Sequence, residues 1–160
     1  MPSYFYRLND AFLAPAGLPV TRISPDPEST DYEGHILECG AVRIQFRKAK
    51  VTPKKAGHFV ALWKRGASGE TLPFDITDPF DYYLIAVEEG SFFFPKSALG
   101  NNGVLSGAGH EGKRGFRLYA PSVAPPNPTA RWAQVWQAGY FLHWDVTANQ
   151  ISLRELLNQR

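Results

Sequence analysis

Between Val42 and Lys48 the chain alternates strictly, with Val42, Ile44 and Phe46 set against Arg43, Gln45 and Arg47. A period of two is the pattern of a half-buried strand with one apolar and one polar face. This strand opens the most unevenly charged part of the molecule. Arg43 to Arg65 (RIQFRKAKVTPKKAGHFVALWKR) holds eight of the 17 Lys and Arg and no Asp or Glu. The net charge of +2 therefore hides a strongly polarised chain. Such a block is either the footprint of an anionic partner or an ordinary solvated surface. Its interleaved Phe46, Phe59 and Trp63, and the interruption at Thr52-Pro53, mark it as folded rather than a disordered basic tail.

The length of 160 residues fits a single domain over residues 1–160, large enough to bury its own core. Aromatic residues make up 14% and fall in short runs such as Tyr82-Tyr83 and Phe92-Phe93-Phe94. With 14 Gly and 13 Pro, they favour a β-rich fold with many turns. A single cysteine, Cys39, permits no internal disulfide and suits a reducing compartment. No signal-peptide pattern is evident, and no apolar run approaches the roughly 20 residues needed to cross a bilayer. The expectation is a soluble, cytoplasmic protein.

Ser3 is positioned to cap a short helix carrying Tyr4, Phe5, Leu8 and Phe12, stopped by Pro15 and Gly17. Pro19 to Asp31 reads as an acidic surface loop able to fold back over the basic block. Strands are expected at His35–Ala41, Val42–Lys48 and Phe59–Trp63. Thr52-Pro53 offers an N-cap with proline at the first helical position, so Lys54 and Lys55 are expected in a single helical turn. Tyr82–Val87 and Ser91–Phe94 read as an antiparallel hairpin, and Phe116–Tyr119 as a further strand. Thr129 is placed to cap a helix with Trp132, Val135, Trp136 and Tyr140 on one face, and Ser152–Gln159 reads as a last helix. Together these predict an α+β domain: a curved, mainly antiparallel, open barrel-like sheet with helices at the N- and C-terminal ends.

Several motifs touch known chemistry and stop short of it. Gly107 to Arg114 (GAGHEGKR) nearly spells a phosphate-binding loop, but Arg114 stands where a magnesium-binding hydroxyl is required and a strand pattern follows instead of a helix. The stretch reads better as a mobile loop that brings Lys113, Arg114 and Arg117 to a surface. RGFRLY (Arg114 to Tyr119) only brushes against the RNA-stacking strand of RNA-recognition motifs. Asp81 and Glu88 flank the strand YYLIAV, as acids of a magnesium-dependent nuclease would, but such a site needs acids converging with a nearby lysine. The first lysine, Lys96, lies beyond another strand. The four histidines have no metal-ligand spacing, and one cysteine makes structural zinc improbable. His58, inside the basic block, is able to donate to a phosphate. Trp132 and Trp136, at i and i+4, are expected to pack in the core, whereas Trp63 borders Lys64-Arg65 and is more open.

The segments FRKAKVTPKKAGHFVALWKR (Phe46 to Arg65), FFFPKSAL (Phe92 to Leu99), GKRGFRLYAP (Gly112 to Pro121) and WQAGYF (Trp136 to Phe141) together resemble the MepB family, small bacterial cytoplasmic proteins. The resemblance runs from Tyr32 to Phe141. After Tyr119 the sequence departs from it, with Ala120-Pro121-Ser122 in place of the more usual Pro-Pro-Trp. The resemblance implies a nucleic-acid-binding role and supplies no catalytic residue, cofactor or metal ligand.

The function expected from the residues is binding of nucleic acid, foremost duplex DNA, with weak sequence preference. Arg43, Arg47, Lys50, Lys54, Lys55, Lys64 and Arg65 would meet phosphates, with Thr52, His58 and Trp63 among them. Lys113, Arg114 and Arg117 would form a second arm. Two alternatives stand beside it: a metal-dependent nuclease using Asp75, Asp78, Asp81 or Glu88, and a binding module for a small anion or an acidic protein. The pI of about 8.7 keeps the last one open, since nucleic-acid-binding domains commonly exceed about 9.

Overall fold

Strand pairing puts Val42–Lys48 inside a six-stranded sheet, not at an edge. The computed structural model describes residues 3–158. The Ser3 side chain and Gln159, on which two sequence expectations rest, lie outside the described residues. In chain order the strands are β1 (Arg22–Pro25), β2 (His35–Cys39), β3 (Val42–Lys48), β4 (Lys50–Val51), β5 (His58–Ala61), β6 (Trp63–Arg65), β7 (Thr71–Pro73), β8 (Tyr82–Ala86), β9 (Gly90–Pro95), β10 (Gly115–Leu118) and β11 (Phe141–His143). The α-helices are α1 (Ser3–Leu8), α2 (Lys96–Asn101), α3 (Pro128–Ala138) and α4 (Leu153–Leu157).

The main sheet has the order β1-β2-β3-β8-β9-β11. Its pairs are antiparallel except β3 with β8, which run parallel with Ile44 opposite Tyr82. A parallel neighbour requires a long crossover, and the residues between β3 and β8 supply β4 to β7, which with the later β10 build two small antiparallel sheets. One has the order β10-β5-β4, the other pairs β6 with β7. The fold is thus α+β and mainly antiparallel, and the sheets do not close into a barrel.

Side-chain alternation along β8 and β9 sorts the interior into two layers. Tyr82, Leu84, Ala86 and Phe93 face one way, toward Phe5, Leu8, Phe12 and Leu13 near the N-terminus and Leu153 and Leu156 of α4. Tyr83, Ile85, Phe92 and Phe94 face the other way, toward Val60, Phe116 and Leu118 of the small sheets and Leu62 and Phe74 just outside their strands. The central sheet is covered on both faces, which is why every residue of β8 and β9 is buried. Helix α4 begins with a reciprocal capping box between Ser152 and Glu155. No described helix is long and apolar enough to cross a membrane.

This layering corrects the expected polar face of β3. Ile44 and Phe46 do enter the helical layer, but Gln45 and Arg47 are buried as well, because the small-sheet layer covers their side. The acidic segment before β2 supplies the countercharge. It is no simple loop: it forms β1 and then a 3-10 turn over Pro27–Tyr32, entered through Asp26, whose side chain accepts the Glu28 N–H. It does fold back over the basic block. Asp26 pairs with Arg47 at 2.8 Å, Glu33 with Lys48 at 3.5 Å, and Glu28 accepts the Arg65 backbone N–H at 3.2 Å.

Three other local expectations change. The strand expected at Phe59–Trp63 divides after Ala61, and its halves join different sheets. Thr52-Pro53 starts no helical turn. The chain instead makes an irregular turn in which Lys54 takes φ +69° and Gly57 φ +80°. A Cβ on Gly57 would lie 2.4 Å from the Leu118 carbonyl oxygen, so the turn approaches β10 too closely for a side chain. Helix α3 is capped by Asn127, not Thr129, with Pro128 at its first turn.

Cys39 is buried in β2 at 6% exposure, and burial pushes its thiol up to about 11. Since the thiolate is the reactive form, the folded protein is expected to resist alkylation by iodoacetamide at pH 8. The urea-unfolded chain is expected to take up one label by mass spectrometry. Rapid labelling of the native chain would contradict this placement.

Candidate nucleic-acid interface

The two basic arms of the sequence meet on the β10-β5-β4 sheet. Antiparallel register sets Arg117 opposite Phe59, and Phe59 opposite Lys50. Along β5 and β10 the partners with the other parity, His58, Val60, Phe116 and Leu118, are buried in the layer beneath, while Phe59 and Arg117 are half-exposed. Lys50, Phe59 and Arg117 therefore form a transverse row on the outer face. Gly115 lets the aromatic ring lie across the sheet, since a Cβ there would sit 2.6 Å from Phe59 Cζ.

Arg117 also fixes the turn above this row. Its guanidinium donates to Thr52 Oγ1 at 2.8 Å and to the Ala56 carbonyl at 2.9 Å, closing both ends of the segment that carries Lys54 and Lys55. Both lysines are exposed, and neither has an ion-pair partner among the described residues. Lys50 is exposed, with its ammonium 4.6 Å from the centre of the Tyr32 ring. On the opposite flank, Lys113 is exposed and unpaired among the described residues, and Arg114 pairs with Glu111 at 3.1 Å. A groove of about 360 Å³ between β10 and α3 runs past Lys113 and Arg117.

The remaining predicted cations do not join this face. Arg47 is 0% exposed and bonds Asp26, Gln45 and the Phe46 carbonyl, so it holds the fold and cannot meet a phosphate. Burial disfavours its charge, and the adjacent Asp26 opposes that effect. Arg43 lies 4.0 Å from Glu38 and over the Phe80 ring. Lys64 pairs with Asp78 at 2.7 Å. Trp63 and Arg65 stack on each other, 5.1 Å apart, on the two-stranded sheet. His58 is buried, and its Nε2–H donates to Glu88 at 2.7 Å. That bond holds the Glu88 carboxyl below its usual range and occupies the imidazole expected to face a phosphate.

The carboxylates expected of a nuclease are dispersed. Asp81 and Glu88 lie beyond opposite ends of β8. Asp75 accepts from the Thr77 backbone and hydroxyl, and Asp78 accepts from Lys64 and the Asp75 N–H. Among the described residues no three His, Cys, Asp or Glu side chains form a group able to hold a metal ion. Pairing of β8 with β9 does bring Lys96 beside Asp81, with the Lys96 N–H donating to the Asp81 carbonyl. The linear sequence had kept these two apart.

Two aromatic side chains were misplaced or overlooked in the sequence. Trp132 is 70% exposed on α3, whereas Trp136 packs against Phe94 at 5.5 Å. Helix α3 is held to β10 by Gln137, which accepts the Tyr119 N–H and donates to the Arg117 carbonyl. Phe59 carried one usable signal, its parity with Ala61 opposite the buried His58 and Val60.

Comparison with known proteins agrees with the motif order. A family model described as MepB-like matches residues 26–143. A solved structure titled "Crystal Structure of MepB" superposes with a TM-score of 0.75 at 30% sequence identity, covering 91% of this chain and 99% of the other. None of the curated proteins matches the sequence.

Proposed function

The chain belongs to the MepB-like family, and we propose that it binds nucleic acid, duplex DNA foremost, on the outer face of the β10-β5-β4 sheet. The observation that carries this reading is the β5–β10 register, which sets the Lys113–Arg117 arm beside the Lys50–Lys55 arm. Lys54, Lys55 and Lys113 project from backbone already fixed by Arg117 and by the Lys113 N–H bond to the Val104 carbonyl. Little ordering is then needed when phosphates arrive. Lys50 and Arg114 extend the charge to either side, and Phe59 offers an aromatic surface between them. Contacts of this kind neutralise phosphates and carry no base information, so sequence preference is weak.

Fluorescence anisotropy of a labelled duplex across a salt series tests this. The log of the affinity is expected to fall linearly with log salt, at roughly 0.9 per phosphate neutralised. The Lys54→Ala/Lys55→Ala/Lys113→Ala variant is expected to lower that slope by about 2 to 3 and to weaken a scrambled duplex equally. Arg22→Ala, on β1, is the control and leaves the slope unchanged. Absence of binding to DNA and RNA at low salt would refute the proposal.

A further inference from the structure

A cavity of about 760 Å³ opens where the β8–β9 hairpin meets α2, separate from the basic sheet face. Ile76, Pro95 and Leu105 supply apolar wall, and Asp81, Lys96 and His110 supply polar groups. The opposite wall is a tight turn: Gly107 and His110 exchange two backbone hydrogen bonds of 2.9 Å, with Ala108 and Gly109 both at positive φ. Space exists there because the neighbouring backbone carries no side chain. A Cβ on Gly107 would come within 2.6 Å of Ile76.

The charges lining this cavity are unevenly satisfied. Asp81 Oδ2 accepts the Arg43 N–H at 2.9 Å, and Asp78, which lies outside the lining, is neutralised by Lys64. Lys96 has no carboxylate partner among the described residues, although Asp81 is its neighbour across the hairpin. Its ammonium makes one long hydrogen bond, 3.3 Å, to the Asp78 carbonyl. Only half-exposed, it keeps an unneutralised positive charge beside an apolar wall. A cavity of this size, mostly apolar with a few converging polar groups, has the ordinary character of a small-molecule site.

We propose that this cavity binds a small organic anion with an apolar body, its acidic group on Lys96 and its body against Ile76, Pro95 and Leu105. A carboxylate, sulfonate or phosphate monoester would satisfy Lys96 equally; the apolar body distinguishes the ligand from free phosphate and from a nucleic-acid backbone. The inference does not depend on the nucleic-acid reading, because the two surfaces share no lining residue named for either.

Titration with 1-anilinonaphthalene-8-sulfonate, followed by its fluorescence, tests the site, with 1-naphthyl phosphate and inorganic phosphate as competitors. Naphthyl phosphate is expected to displace the probe and inorganic phosphate is not. Lys96→Gln is expected to weaken the probe about tenfold, the scale of one charge-assisted hydrogen bond. Ser97→Trp, an exposed substitution at the cavity wall, blocks it without touching the core. Asp81→Asn keeps an acceptor for Arg43 and removes the opposing charge, so it strengthens binding. Lys54→Ala/Lys55→Ala leaves probe binding unchanged. Unaltered affinity in Lys96→Gln, or weaker binding in Asp81→Asn, would overturn the proposal. So would displacement of the probe by inorganic phosphate or duplex DNA.

Discussion

Replacing Arg47 with alanine is expected to lower the free energy of unfolding by about 3–5 kcal/mol. The guanidinium is wholly enclosed, 2.8 Å from Asp26 and 2.7 Å from the Gln45 side-chain oxygen. Truncation would leave Asp26 without its countercharge and Gln45 without its donor, and would open space against Phe74 and Tyr83. A domain of this size has a total stability of roughly 5–15 kcal/mol, so a large share of it is at stake. The Arg47→Met/Asp26→Asn double variant removes both charges and fills part of the space, and is expected to recover a substantial fraction of the loss. Urea unfolding of the three proteins measures this. A loss under about 1 kcal/mol in Arg47→Ala would match an exposed pair and contradict the buried arrangement.

Phe94→Ala is expected to cost a similar about 3–5 kcal/mol, with an added functional consequence. The ring is fully buried, stacks on Phe92 at 5.5 Å, and meets Phe116 of β10 at 6.2 Å, Trp136 of α3 at 5.5 Å and Tyr140 at 5.7 Å. It is where the main sheet supports the strand and helix that carry the candidate interface. Phe12 serves as the comparison, since it packs on the opposite, helical layer against Phe93 and Trp144. At a temperature where both variants remain folded, Phe94→Ala is expected to weaken duplex binding more than Phe12→Ala. Equal effects would mean that β10 is not positioned through this ring.

The candidate site was legible in the sequence as a list of cations and illegible as a surface. Lys50, Lys54, Lys55, Lys113, Arg114 and Arg117 are six of the ten basic residues singled out, and they lie on the strands of one sheet or in the segments adjoining those strands. Charge count alone could not separate them from Arg47, because a guanidinium on the polar parity of a strand reads the same whether solvent or an acidic loop covers it. Asp26 is 21 residues away along the chain, and only folding places it. Trp132 and Trp136 show the same limit. Their i, i+4 spacing puts them on one helical stripe, yet α3 meets the sheet along a seam narrow enough that only the second packs against the core, partly buried beside Phe94.

By itself the sequence determined what local physics controls: the strand parity of β3, the β8–β9 hairpin, the helical ends, and a positive segment too regularly interleaved with aromatics to be a tail. It also carried the family, through the order of its motifs. The tertiary structure alone decided which faces were covered. The parallel pairing of β3 with β8 forces a long crossover, and that crossover, joined by the later β10, becomes a second β-layer over the strand's polar side. The same layer turns Arg47 and His58 into interior groups and brings Arg117 to the lysine-bearing turn. It leaves Lys54 and Lys55 of the original block, and Lys113 of the second arm, without an ion-pair partner among the described residues. Burial depends on what arrives from distant chain, and no periodicity records that.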